Sequence, residues 1–175
     1  MKNIFAVIVV FLFFLSFSAN ATLIDLISID ELAEKSGLVV MGTPIEKHSY
    51  YNTDSTQIYT DVLIKITSKV RSECKDKITI VLRGGRVGQM TTYVLGAPQF
   101  TIGKEVLLCL KKFKDTNKYK IIGFNQGKFD IKAGKAFRDF KNTTFILKPK
   151  LESELGKAYN GIELNELLNF FKSPK

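Results

Sequence analysis

A length of 175 residues fits one domain of ordinary size with a real core, and nothing beyond residue 21 is long and apolar enough to span a membrane. Lys and Arg total 26 against 17 Asp and Glu, and the net charge of +9 favours anionic partners such as phosphates, lipid head groups, acidic glycans or nucleic acid. The competing reading of that charge is a lysine-rich surface kept soluble by its own repulsion.

The chain opens with Lys2, an apolar run from Ile4 to Phe17 interrupted by Ser16, and the small-x-small triplet Ala19-Asn20-Ala21. This pattern predicts a secretory signal peptide over residues 1–21, cleaved after Ala21, and a periplasmic or secreted protein. An anchor helix would need about 20 apolar residues, and this run is shorter and ends on a cleavage pattern. Loss of Lys2 would take the net charge from +9 to +8, and the leader carries part of the 45% hydrophobic content away with it.

Ser28, with Glu31 three residues later and Gly37 at the far end, predicts a short helix from Ile29 whose buried stripe is Ile29, Leu32 and Ala33. Leu38-Val39-Val40-Met41-Gly42 is too brief for a helix and reads as a buried strand, with Pro44 expected at its edge or bend. Residues 50–55 are turn-rich. Ile58 to Val70 then alternates strictly, with Ile58, Thr60, Val62, Ile64, Ile66 and Val70 on one face, which predicts a long half-buried strand. Lys77 to Arg83 alternates in the same way and ends on Gly84-Gly85. Residues 84–103 hold five glycines and Pro98, the composition of a long irregular connection with a short strand near Met90 to Val94. Lys104 to Lys112 and Lys118 to Phe124 form the arms of a hairpin turning at Asp115-Thr116-Asn117, and Phe129 and Ile131 extend it. Ile162 to Phe171 has amphipathic helical spacing through Leu164, Leu167, Leu168 and Phe171, expected to pack back on the barrel, with a partner-binding helix as the alternative. There is no internal repeat and no low-complexity tract. The domain reading is a leader over 1–21, a β-barrel over 22–133 and a C-terminal extension over 134–175.

The chemistry-bearing residues are sparse. His48 is the sole histidine and reads as a surface residue; no cysteine has metal-site spacing beside it, so no metal site and no cofactor is expected. Cys74 and Cys109 would meet oxidising conditions after export, which allows a disulfide, while the apolar run around Cys109 equally suits a buried free thiol. Arg83-Gly84-Gly85-Arg86-Val87-Gly88 lacks the ending of a phosphate loop and reads first as a turn; as a binding element, Arg83 and Arg86 beside bare backbone amides would suit an anion. Lys111, Lys112 and Lys114, with Lys118 and Lys120, interleave with Phe113 and Tyr119 in the hairpin, an arrangement that suits an anion or, with base stacking, a single strand. The same lysines also serve as ordinary guards of a strand edge, and export disfavours nucleic acid. No nucleophile elbow or zinc-protease motif is present, so the reading is non-enzymatic.

Several of these segments together carry a resemblance. Residues 32–43 (Leu-Ala-Glu-Lys-Ser-Gly-Leu-Val-Val-Met-Gly-Thr), Ile58-Tyr59-Thr60-Asp61-Val62, Gly84-Gly85, residues 96–100, residues 103–108 and Gln126-Gly127-Lys128-Phe129 run in an order that resembles a family of uncharacterised exported bacterial proteins. More distantly, the order of elements is similar to the netrin-like module of tissue inhibitors of metalloproteinases. That resemblance implies an OB-like five-stranded antiparallel barrel with a short N-terminal helix and a C-terminal helical extension. Those inhibitors use an N-terminal cysteine and several disulfides, and here Thr22 would begin the mature chain, so no inhibitory residue carries over. The function expected is binding of an unknown protein or anionic surface. An inhibitor of an exported protease and an enzyme whose site is assembled from distant residues stand as alternatives. A long exposed apolar patch near residues 84–103 would favour protein binding or inhibition, a positive groove across the barrel face an anionic ligand, and a deep pocket with convergent polar groups an enzyme.

Overall fold

The computed structural model describes residues 23–140 apart from Asp115, together with 144–146, Gly156 and 161–173; the expected leader lies outside them. In chain order the elements are β1 (Leu23–Asp25), α1 (Ile29–Lys35), β2 (Leu38–Tyr51), β3 (Ile58–Arg71), β4 (Lys77–Arg83), β5 (Gly85–Val87), β6 (Met90–Thr92), β7 (Val106–Lys112) and β8 (Lys118–Ile121). A 3-10 turn at Phe124–Gly127 leads into β9 (Lys128–Lys132), β10 (Lys135–Arg138), β11 (Thr144–Ile146), β12 (Ile162–Glu163) and α2 (Leu164–Lys172).

The strands close into a five-stranded OB-like barrel in the order β2-β3-β4-β8-β7 and back to β2. The expected all-antiparallel barrel is corrected to a mixed one. β8 leaves the β7 hairpin and pairs parallel to β4 through Thr79 opposite Lys118 and Ile80 opposite Tyr119, and that one parallel seam closes the cylinder. β9, β10 and β12 continue the sheet outward from β7. The tight turn between β9 and β10 falls at Ala133 and Gly134, both with positive φ, so the chain beyond residue 133 runs straight on into the same sheet.

β2 is longer than its apolar run. It continues through Pro44 to Tyr51 as the partner of β3, with Pro44 opposite Ile64 beside a register shift that displaces Ile45. Two further shifts, at Val39/Val40 and Met41/Gly42, add the coiling that lets a single long hairpin wrap a barrel. Strand alternation sends Leu38, Val40, Val62, Ile64, Ile78, Ile80, Leu108, Leu110 and Tyr119 into the barrel, where Phe100 also inserts. The opposite parity on β2 and β7 sends Val39, Met41, Leu107 and Cys109 outward into a second cluster with Leu32, Phe129, Leu167 and Phe171. Buried on both faces, these two strands read as unbroken apolar runs.

α1 begins as its sequence directs, with the Glu31 amide donating to Ser28 Oγ at 3.1 Å and Lys35 paired to Glu31 one turn on. α2 buries Leu167 and Phe171 in the outer cluster, where Phe171 meets Phe129 edge to face at 6.3 Å. Among the described residues no helix is long and apolar enough to cross a membrane.

Candidate functional site

The connection between β4 and β7 supplies no strand to the barrel and enters its core only through Phe100. It starts at Gly84 and Gly85, with φ of +88° and +140°, values that glycine adopts readily and other residues rarely. Gly84 is pinned from two sides: its amide donates to the Ile58 carbonyl at 2.8 Å, and its carbonyl accepts from Thr60 Oγ1 at 2.7 Å. A Cβ on Gly85 would run into Thr60 Oγ1 and Ser49 Oγ. β5 and β6 then form a small hairpin turning at Gly88 and Gln89, where the sequence suggests only an irregular segment with one strand.

Beyond the hairpin the chain is braced repeatedly. The Gly96 carbonyl accepts from the Asn125 amide at 3.1 Å, and the Gly103 amide donates to the Pro44 carbonyl at 2.9 Å. Phe100 plugs into the inner core; its carbonyl accepts from the Lys47 ammonium, and the Lys128 ammonium sits 5.6 Å from its ring centre. Lys128 is only 4% exposed and is held by Asp130 at 2.7 Å. Burial, reinforced by the positive charge of Lys128, pulls the Lys47 ammonium below the ordinary lysine range.

Between these braces the large apolar side chains point away from the protein. Tyr93 is 91% exposed and Met90 63%, with Leu95 and Ile102 about half exposed, and Ile45 lies on the β2 stretch to which Gly103 is tied. A pocket of about 460 Å³ opens against Tyr93 to Gln99, with Asn125, Lys128 and Asp139 completing its wall. The sequence signal for this surface was the glycine and proline content of residues 84–103; which side chains it turns outward was not readable.

The residues singled out from sequence scatter. Arg83 ends β4 opposite Tyr59, and Arg86 lies in the β5 hairpin with its Nε donating to the Gly88 carbonyl at 3.1 Å. Of the backbone beside them, the Gly84 amide is engaged by the Ile58 carbonyl, and Gly85 lies opposite Thr92. Lys112 and Lys114 lie toward the β7 to β8 turn. Lys111 lies opposite Lys120, whose row reaches β4 two residues, about 6.6 Å, from Arg83, so strand register brings Lys111 and Arg83 onto one sheet face and leaves Arg86 on the separate β5 hairpin. Tyr119 faces the barrel core at 4% exposure and cannot stack on a base. His48 is exposed, as its context suggests. Cys74 packs toward the inner core while Cys109 is buried in the outer one, and both are free thiols. Burial pushes the Cys109 thiol up to about 12. Among the described residues no group of three or more His, Cys, Asp or Glu could hold a metal ion.

No protein-family model, no curated protein and no solved structure matches this chain.

Proposed function

We propose that this chain is an exported, non-enzymatic binding protein that engages a protein partner through the β4 to β7 connection. One observation carries the reading: Met90, Tyr93, Leu95 and Ile102 are turned to solvent on a segment fastened at Gly84, Gly96, Phe100 and Gly103. Loose apolar side chains on a surface are commonplace, but a braced ridge of them has lost its conformational freedom before a partner arrives, which lowers the entropic cost of association. A tyrosine at the centre of such a ridge is the residue type on which binding energy concentrates. Export rests on the leader pattern of residues 1–21.

A second reading, inhibition of an exported protease, is favoured by the same segment, because a braced loop with Tyr93 91% exposed offers an apolar side chain to a cleft. The resemblance to netrin-like modules supports it without assigning a residue.

The test is a photo-crosslinking residue placed at Tyr93, with Lys132 as the control position, in cells expressing the full chain. Crosslinking from Tyr93 alone to a discrete protein is expected, together with capture that survives about 1 M salt, where charge attraction is screened within roughly 3 Å. Paired Tyr93→Ser and Leu95→Ser changes should abolish capture and leave the melting temperature unchanged. Capture that vanishes in salt, or persists in the double variant, would refute the proposal. A captured protease blocked at its active site would select the inhibitor reading.

A further inference from the structure

Away from the apolar ridge, and short of the end of β3 where Val70 packs against the helices and Arg71 bonds to the Ala33 carbonyl, the outer surface of β3, β4, β8 and the end of β7 carries the opposite chemistry. These four strands contain nine basic residues and a single acid, Asp61. Asp61 is already held, accepting from Lys118 Nζ at 2.7 Å and from Tyr50 OH at 3.0 Å.

The strand register then does something costly. It sets Lys65 directly opposite Lys77 and Lys111 directly opposite Lys120. Like charges at directly opposed positions destabilise a sheet. Among the described residues none of these four lysines has a carboxylate within ion-pair reach, whereas Lys35, Lys69, Lys118, Lys128 and Lys135 each do. Guarding a strand edge does not explain them, because β4 and β8 each have partners on both sides and the barrel is closed. Counted along the strands, the Lys65/Lys77 row, the Lys118 row, the Lys111/Lys120 row and Arg83 follow one another at intervals of two residues, about 6.6 Å.

We infer that this face binds a linear anionic polysaccharide whose carboxylate or sulfate groups run along the rows and relieve the two opposed lysine pairs. The surface is independent of the apolar ridge, since strand register builds it and the β4 to β7 connection takes no part. Single-stranded nucleic acid fits it less well, because base stacking needs open ring faces. Tyr119 is turned inward, the Tyr50 ring has the Lys118 ammonium 5.5 Å from its centre and His48 stacked beside it, and Phe113, 38% exposed opposite Lys118, is a single open ring where stacking along a strand calls for successive ones. An anionic membrane would call for apolar groups to insert, and the exposed ones cluster mainly on the other surface.

Fluorescence anisotropy at about 0.15 M ionic strength tests this with four labelled probes: a heparin fragment, oligogalacturonate, an oligo-dT of about 16 nucleotides, and phosphatidylglycerol vesicles. The parent should bind one or both polysaccharides more tightly than the oligonucleotide or the vesicles. Replacing Lys65, Lys77, Lys111 and Lys120 by Gln should weaken polysaccharide binding about tenfold or more. The same change at Lys35, Lys104, Lys132 and Lys172, which lowers net charge equally, should weaken it less than about threefold. A single Lys120→Glu change, which gives Lys111 a counter-charge, should raise the melting temperature and still weaken binding; it serves if the quadruple variant does not fold. Equal losses in the two quadruple variants, or tighter binding of oligo-dT or vesicles by the parent, would overturn the inference.

Discussion

Inside the barrel, packing follows from strand alternation alone: Val62 and Ile64, Ile78 and Ile80, Leu108 and Leu110 point inward because their neighbours point outward. On the other side of β2 and β7 the outer cluster gathers Leu32, Val39, Cys109, Phe129, Leu167 and Phe171 from separate segments of the chain, and its irregular backbone needs polar clamps. Gln126, fully buried, accepts from the Ile27 amide at 2.7 Å and donates to the Asp25 carbonyl at 2.9 Å. Arg138 donates to the Ile27 carbonyl at 2.9 Å, and Arg71 donates to the Ala33 carbonyl. Repeating hydrogen bonds satisfy the inner layer's backbone, while the outer layer borrows side chains to do the same work. The inner cluster should therefore be the global unit of stability and the outer one a local unit.

The sharpest way to break that comparison is to empty each cluster in turn. Ile80→Ala and Phe171→Ala should each cost about 3 to 4 kcal/mol. In hydrogen exchange the first should lower protection across β3 and β4, and the second should lower it mainly in α2 and β12. Equal losses everywhere after Phe171→Ala would merge the two layers into one unit. Gln126→Ala comes next, at about 2 to 3 kcal/mol, because it strands two buried backbone groups. Its signature is faster exchange at the Ile27 amide and earlier proteolysis near residues 25–27, with the barrel strands still protected.

The smallest effect is expected at high pH. The Cys109 thiol rises from 9.0 in the unfolded chain to about 12 in the folded one. The folded state thus holds its proton more tightly, and this contribution to stability is complete below pH 9 and lost as pH climbs toward 12. Burial raises Tyr50 and Tyr119 in the same sense. A denaturation series over that window should show a shallower alkaline decline for Cys109→Ala than for the parent. Identical slopes would mean the outer cluster admits water at Cys109.

The two layers also differ in how far they could be read from sequence. The inner face of β3 was plain because Ile58 to Ile64 alternate without exception, and α1 was plain because Ser28 caps it. The upper half of β2 was not, since residues 45–51 carry few buried side chains and Pro44 argued for a stop; the long partner strand and a bulge overrule it. The parallel β4 to β8 seam left no local trace, because pairing direction depends on a contact about 40 residues away in the chain. The polar clamps were hidden for a similar reason: nothing near Gln126 in sequence points to Ile27. At the candidate surfaces, composition marked residues 84–103 and the lysine-rich hairpin, but only register reveals that Lys65 faces Lys77 and Lys111 faces Lys120.

The short parallel pairing of β1 with β11 sets Leu23 beside Thr144 and Asp25 beside Ile146. A chain that emerges from its N-terminal end meets this partner only after the barrel strands are available, since the Gln126 clamp on Ile27 alone spans 99 residues. Local hairpins close early and the most distant contacts last. The order of assembly is therefore the reverse of the order of emergence at this edge: β1, which precedes every other described strand in the chain, is the last one stitched in.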